Sequence, residues 1–264
     1  MATAEISIVT ISFNQAEYLP ITIKSVLEQQ GTSVEYIIVD GKSSDGSHDV
    51  IRLYEDQLTW IKDIDDGPAD GLLKGLLASS APLIGFINAD DFYEMGAFKR
   101  VVKFFHENPK IDFVTGFGEQ ITDSGEHLLV IPDRLSLMGL LYRGANIFQP
   151  GTFFRRDTLI RSDLFDVRNE TCWDYELFCN FLKNGAIHQI IFTRLAYFRV
   201  SENSITGSGR LHSLHREEVE KLFCFYTGKG WSTTEKIYSL MSRFVYFCLR
   251  SLNHGKYVFG KLKP

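Results

Sequence analysis

The run Pro82-Leu83-Ile84-Gly85-Phe86-Ile87-Asn88-Ala89-Asp90-Asp91 constrains the fold more than any other stretch, because an apolar segment of strand length ends in two adjacent carboxylates. A short apolar run bounded by polar residues suits an interior strand of a parallel sheet. Open α/β sheets bind ligands beyond the carboxyl ends of their strands, so Asp90 and Asp91 are expected at the mouth of a site. Side by side their charges repel, and a hard divalent cation, which takes oxygen ligands, relieves that repulsion. The competing reading is a polar turn in which Asp91 caps the segment that follows.

A chain of 264 residues suffices for one large α/β domain, or for a domain with an appended helical piece. Its 44% hydrophobic and 23% charged content excludes disordered, collagen-like and coiled-coil classes. The net charge of −5 argues against a general nucleic-acid binder, but not against nucleotides held through a metal. Cys172, Cys179, Cys224 and Cys248 lack the close paired spacings of a zinc site and read as buried thiols. Met1-Ala2-Thr3-Ala4-Glu5 runs into a strand without a basic start and a long apolar stretch, so a cytoplasmic location is predicted. On that expectation the sequon Asn169-Glu170-Thr171 is incidental.

Ile6 to Phe13 reads as a strand, and Leu19, Ile23, Val26 and Leu27 recur at helical spacing within Ala16 to Gln29. The unit repeats: Val34 to Asp40 is a strand ending on an acid, and Ser44 or Asp45 can cap a helix running to about Glu55. Leu58 to Ile64 is a third strand, Ala69 to Ser79 a helix, and Pro82 to Ala89 the central strand. Such alternation predicts a mainly parallel sheet with helices on both faces. After residue 92 the rhythm changes, and mixed pairing is expected: a helix over Gly96 to Glu107, then strands over Asp112 to Ile121 and Leu128 to Ile131. Residues 133 to 171 read as loop and short helix, Asp174 to Lys183 as a helix, and Ala186 to Val200 as strand-rich. Helical pattern returns from Ser213, and glycines and basic residues after Leu252 suggest a trailing tail.

Asp40 is followed by Gly41-Lys42-Ser43-Ser44-Asp45-Gly46-Ser47, a glycine-containing loop without the Gly-Lys-Ser/Thr of a P-loop. Ser12-Phe13-Asn14-Gln15 stands where a dinucleotide fold would carry Gly-x-Gly-x-x-Gly. Asp40 ends its strand on the same edge as Asp90 and can accept a hydrogen bond from a ligand in that crevice.

Four segments, Val9 to Asn14, Ile38 to Ser47, Asp66-Gly67 to Lys74-Gly75, and Phe86 to Asp91, resemble in order and spacing the family 2 glycosyltransferases of the GT-A fold, over about the first 200 residues. The resemblance implies a Rossmann-like, mainly parallel sheet flanked by helices, a nucleotide-sugar donor, a divalent metal (Mn2+ or Mg2+), and inversion at the anomeric carbon. By position it implies that Ile11, Ser12 and Phe13 border the nucleoside, that Asp40 hydrogen-bonds the base, and that Asp90 and Asp91 reach the ribose and the metal. The chain departs from the commonest pattern where Asn88 replaces the leading acid and Gly41 the second acid of an Asp-Asp pair. Lys74 could neutralise a phosphate, or be a solvated helix charge.

Thr171-Cys172-Trp173-Asp174-Tyr175 resembles the family's Glu-Asp-Tyr segment, with Trp173 in the Glu position and Asp174 matching the catalytic base. A carboxylate within reach can take the proton of an acceptor hydroxyl as the new C–O bond forms; the alternative is a helix cap, which Asp favours. Trp173, Phe153 and Phe154 are candidates for the acceptor side, with core packing as the rival. Ser201 or Glu202 stands where the family often carries a His near the metal.

The predicted layout is a catalytic domain over 1–205, with a nucleotide-sugar half (1–91) and an acceptor half (92–205), followed by a helical extension over 206–264. The expected reaction moves a sugar from a nucleoside diphosphate carrier, UDP by family frequency, to a hydroxyl of a saccharide or lipid-linked acceptor. Rivals are a GT-A-like domain that binds without turnover, and a nucleotidyltransferase, which needs a basic triphosphate loop that is not found. Arg210 to Pro264 holds ten Lys or Arg against four Glu, and Lys236, Arg243 and Arg250 recur every seven residues beside apolar positions. That pattern fits a helix lying on the inner face of an anionic membrane, or a helix packed on the catalytic domain with its charges in water.

Overall fold

The computed structural model describes residues 3–62, 66–200 and 211–260, with side chains up to Tyr246. The first half alternates as β1 (Ile6–Ser12), α1 (Leu19–Leu27), β2 (Val34–Asp40), α2 (Ser47–Arg52), β3 (Thr59–Lys62), α3 (Pro68–Ala78) and β4 (Leu83–Asn88). β1 pairs in parallel with both β2 and β4, and β2 with β3. The strand ends Ser12, Asp40 and Asn88 therefore share one edge. These strands read as continuous apolar runs because both faces are covered. Ile6 and Ile8 join the core under α1, whereas Val9 joins the core under α3. Gly75 permits the second contact, since a Cβ there would lie 2.3 Å from Val9 Cγ1.

The second half comprises β5 (Phe92–Tyr93), α4 (Ala97–Glu107), β6 (Phe113–Thr122), β7 (His127–Val130), a π-helical turn (Gly139–Arg143), a 3-10 turn (Gln149–Gly151) and β8 (Thr152–Arg155), then α5 (Arg156–Arg161), α6 (Trp173–Lys183) and β9 (His188–Val200). Two helices follow, α7 (His212–Thr227) and α8 (Thr233–Gly260). The strand order is β3-β2-β1-β4-β8-β6-β9-β5, with β7 on β6. Pairing is mixed here, as predicted: β8 runs antiparallel to β4 and β6, whereas β6 and β9 are parallel.

Three expectations fail. Cys224, expected as a buried thiol, is exposed, because its helix turns the neighbouring Phe223 to the core instead. The predicted loop over 133–171 contains β8, whose Phe153 and Phe154 are wholly buried in the cores on opposite sheet faces. Neither phenylalanine lines an acceptor site. Gly85 makes room for Phe153, because a Cβ on Gly85 would lie 2.6 Å from that ring. The tail predicted after Leu252 is instead the continuation of α8 to Gly260.

The sheet curls, and the curl shapes the site. Phe92 follows Asn88 by four residues, a reach of at most about 14 Å. In a flat sheet β5 would lie four strand spacings from β4, about 19 Å away. Closing that gap folds the end of β9 back over the end of β4, where the backbone N–H of Arg199 donates to Asp91 Oδ1 at 2.8 Å.

Candidate active site

The loops after β1 and β2 form one unit. Asn14 N–H donates to Ser43 Oγ at 2.8 Å, and Ser44 N–H donates to Asn14 Oδ1 at 2.9 Å. Asn14 sits at φ 52° and Lys42 at φ 66°, in the left-handed region that asparagine enters more readily than most residues. Asp45 accepts the N–H of Ser47 at the start of α2 and that of Ala16 across the junction. Of the predicted nucleoside contacts, Phe13 is 61% exposed, Ile11 half-buried and Ser12 buried, its hydroxyl without a hydrogen-bond partner among the described residues.

Asp40 is wholly buried. Its carboxylate accepts the N–H of Ser43 at 2.9 Å, the hydroxyl of Ser43 at 2.8 Å, and pairs with His48 Nε2 at 2.8 Å. In this arrangement it builds the loop and offers no exposed surface to a base. Lys74 pairs with Asp70 of its own helix at 3.0 Å, and Asp70 also accepts the N–H of Asp66.

Asp90 and Asp91 occupy different environments. Asp90 is half-buried, whereas Asp91 has no exposed surface, and its Oδ2 lacks a hydrogen-bond partner among the described residues. Burial pushes the Asp91 carboxyl well above the ordinary range, and the neighbouring Asp90 charge pushes it further. Asp90 is raised as well, by burial, against the opposing pull of Arg199. The turn is braced from behind by α1: the single hydroxyl proton of Thr22 is shared between the carbonyls of Ala89, at 2.7 Å, and Asp91, at 2.6 Å, and Ser25 Oγ accepts the N–H of Tyr93. The Arg199 guanidinium lies 4.7 Å from the Tyr18 ring centre and bonds the Asp90 carbonyl. Among the described residues no group of three or more His, Cys, Asp or Glu side chains is placed to hold a metal. A cation here would rest on one or two carboxylates and on the phosphates of a ligand, a common arrangement for Mg2+.

Asp174 lies in the first turn of α6. Aromatic packing gives the helix its direction: Phe181 meets Phe154 and Phe113, and Phe178, one turn earlier, meets Phe86. Phe154 pairs with Ile84, two residues before Phe86 on β4. One helical turn (about 5.4 Å) thus matches two strand residues (about 6.6 Å), so α6 runs against β4 and its first turn reaches the level of Asn88. Asp174 is half-buried, accepts the N–H of Tyr175 at 2.8 Å, and has its carboxyl raised by loss of water, with His215 acting in the opposite sense. Trp173 is partly buried against the core below. Ser201 and Glu202 lie outside the described residues.

Within the extension α7 buries Phe223 in the core, whereas α8 docks by its polar edge. Ser239 Oγ donates to the Tyr142 carbonyl at 2.6 Å, and the Tyr246 hydroxyl bonds Asp133. Ile237, Leu240, Met241, Phe244 and Val245 of α8 are all more than half exposed. This reverses the usual surface helix, whose apolar stripe faces the core.

Sequence reasoning did not single out Thr22, Ser25, Arg199 or Glu218. Thr22 and Ser25 fall at i and i+3 on the buried side of α1, a polar pair inside an apolar stripe; that was the available signal. Arg199 acts through its backbone N–H as well as its side chain, and no residue type announces the backbone contact.

Residues 7–163 match the family model described as "Glycosyl transferase family 2". The chain is 29% identical over 167 residues to an uncharacterised glycosyltransferase of Nostoc sp., covering 59% of this chain and 52% of that protein. It is 26% identical over 268 residues to the minor teichoic acid biosynthesis protein GgaA of Bacillus subtilis, covering 95% of this chain and 55% of that protein. The chain thus spans about half the length of these two relatives. Among solved structures, S. aureus TarS 1-349 in complex with UDP-GlcNAc superposes with TM-score 0.66 at 14% identity, over 89% of this chain and 69% of that one. The mannosyltransferase PcManGT of Pyrobaculum calidifontis, in complex with GDP-Man and Mn2+, gives 0.65 at 14% identity, over 92% and 70%. At such identity the likeness is one of fold, the GT-A fold.

Proposed function

The chain belongs to glycosyl transferase family 2, and from that premise we propose that it transfers a sugar, with inversion, from a nucleoside diphosphate donor to a hydroxyl of a saccharide or lipid-linked acceptor. What supports this reading is the packing of α6 along β4, Phe178 on Phe86 and Phe181 on Phe154, which runs the helix with Asp174 in its first turn toward the strand end that Asp90 follows. A UDP-linked sugar is the favoured donor, supported by the UDP-GlcNAc complex of the TarS structure.

The acid pair suits a divalent cation, Mn2+ or Mg2+. Asp91 Oδ2 is buried with no hydrogen-bond partner among the described residues, and both carboxyls are destabilised as charges where they stand. Asp90, exposed in part, is the direct ligand in this reading; Asp91 sits behind it, orients the turn through Arg199, and brings its Oδ2 to the same charge. When bound, the cation would offset charge growing on the departing diphosphate.

The remaining roles belong to the chain itself. Asp174 takes the proton of the acceptor hydroxyl while the C1–O bond to the acceptor forms and the C1–O bond to the diphosphate breaks. Its raised carboxyl is a stronger base than a solvated one. Phe13 and the joined loops after β1 and β2 form the nucleoside wall, with Ile11 and Ser12 below and Asp40 holding the wall's shape. Lys74, held by Asp70, stands in reserve for a phosphate.

The extension supports contact with an anionic membrane surface. The outward face of α8 carries five large apolar side chains, and the segment from Arg210 to Pro264 has an excess of six positive charges. The stripe is wider than a coiled-coil seam. No helix among the described residues is long and apolar enough to cross a membrane.

The test is a thermal-shift screen of UDP, GDP and their sugars with Mn2+ or EDTA, followed by release of nucleoside diphosphate from the best stabiliser. Cation-dependent stabilisation followed by turnover supports the reading. Stabilisation without turnover, with water or with glycan acceptors, would leave a binding domain instead.

A further inference from the structure

Helix α7 lies beyond the residues that match the family model, yet two of its side chains meet the segment leading into Asp174. The Glu218 carboxylate, only 9% exposed, accepts the N–H of Glu170 at 2.8 Å, the N–H of Thr171 at 3.0 Å and the hydroxyl of Thr171, with Cys172 Sγ at 3.8 Å. One buried carboxylate thus holds three consecutive residues. Because the Thr171 hydroxyl gives its proton to Glu218, it accepts from the ring N–H of His215, at 3.2 Å from Nδ1. From the other side, Asn169 Oδ1 accepts the N–H groups of Thr171 and Cys172, and Asn169 Nδ2 donates to Glu176.

This turn is where α6 begins. Cys172 occupies the cap position and makes no side-chain cap bond; the N–H groups of the chain entering the helix, those of Glu170, Thr171 and Cys172, are taken by Glu218 and Asn169. Asp174 stands two residues further on, and its direction follows from the turn's.

We propose that Glu218 is a positioning residue for the transfer reaction, fixing the 170–172 turn so that the Asp174 carboxylate meets the acceptor hydroxyl. The proposal rests on the reading of Asp174 as base. It makes α7 part of the catalytic centre, with His215 supporting the same turn through Thr171. Displacing a reacting group by an ångström can cost on the order of 100-fold in rate, so the hold is worth that scale in kcat.

The experiment is a double-mutant cycle on the full chain, read by Mn2+-supported hydrolysis of whichever UDP- or GDP-sugar in a panel is cleaved fastest, with water in the acceptor's place. Glu218→Gln is expected to lower kcat roughly 10- to 100-fold with donor KM within about twofold and a normal cooperative melt. Glu218→Gln combined with Asp174→Asn should be no slower than Asp174→Asn alone, because the first acts through the second. Should the Gln variant fail to fold, Thr171→Val removes the hydroxyl that bridges Glu218 and His215 and should slow turnover, whereas Thr171→Ser should restore it. Unchanged kcat in folded Glu218→Gln, or multiplicative losses in the double variant, would overturn the proposal while leaving the base intact. Full turnover by Asp174→Asn would instead remove the base reading on which it stands.

Discussion

The two halves of the curled sheet build their share of the site by different means. In the parallel half, β1, β2 and β4 end in register, Ile11 beside Val39 and Asn88, so that strand ends alone line up the loops. In the mixed half, strands are short or bulged, and the register of β6 with β9 shifts around Phe117. Its acid, Asp174, comes from a helix whose entry is held by Glu218, 46 to 48 positions later. Regular alternation thus lines up the strand-end edge by itself, whereas the helix entry that carries Asp174 depends on long-range polar contacts. This division predicts that donor binding and rate can be damaged separately.

The largest effect is expected from the mixed half. Asp174→Asn should lower kcat roughly 1,000-fold while leaving UDP affinity, measured by calorimetry, nearly unchanged. Because only the ionised carboxylate accepts a proton, and burial raises its pKa, the wild-type rate should fall on the acid side at a pH above the ordinary carboxylate range. Equal losses of rate and of UDP affinity would erase the contrast between the halves.

Next is the parallel half. Asp90→Ala should weaken Mn2+-dependent UDP binding roughly 30-fold or more, the ~2 kcal/mol that a partly buried charge contact carries, and remove the Mn2+-dependent rise in melting temperature. A variant that still needs Mn2+ and binds UDP normally would move the metal away from this strand end.

How much of this was legible follows the same division. β1 to β4 appear in the sequence as apolar runs with helices at 3.6 spacing between them, and the acids that end β2 and follow β4 could be named in advance. β8 could not, because four residues behind Pro150-Gly151 are too few to show a period, and two adjacent phenylalanines buried on opposite faces look like any aromatic pair. Asp90 and Asp91 were equally visible, but the fold separates them: whether a strand-end acid faces the crevice or the interior depends on α1 and β9, which approach from 69 and 108 positions away in sequence. The orientation of α8 was hidden for a similar reason. Its polar edge looks like a solvent face until Tyr142 and Asp133 are brought against it.

A third prediction tests whether the mixed half is also the weaker in acid. His188 of β9 is buried, with Nε2 at 3.0 Å from Thr115 Oγ1 and Nδ1 accepting the N–H of Leu135 at 2.9 Å. That bonding requires the neutral ring. Burial, with Arg134 nearby, lowers its pKa from 6.5 to about 3. The unfolded chain therefore takes up the proton first as pH falls, so this contribution is complete above about pH 6.5 and is lost progressively below it. Between pH 7 and pH 5 the loss from this ring is about 2 kcal/mol. Urea unfolding of the wild type against His188→Gln measures it, since the variant should lack this part of the pH dependence. Parallel pH curves would assign acid sensitivity to other groups.

The smallest effect concerns α8, which should matter to neither half when the substrates are soluble. Ile237, Leu240, Met241 and Phe244 form one outward apolar surface, with Phe244 69% exposed, while Lys236 and Arg243 are exposed on the same helix. Apolar side chains facing out and basic ones beside them match a lipid surface with anionic headgroups. Co-sedimentation with phosphatidylcholine vesicles of rising phosphatidylglycerol content should show binding that grows with anionic lipid and weakens with salt, as screened charge requires. Phe244→Asp should weaken that binding roughly tenfold, the scale of one lost aromatic contact, and leave donor hydrolysis unchanged. If well-folded protein stays in solution at low salt, or if the mass grows with concentration and Phe244→Asp abolishes that growth, the face is covered by a second copy of the chain rather than by lipid. Loss of hydrolysis in Phe244→Asp would tie α8 to the catalytic half and break the separation on which the comparison rests.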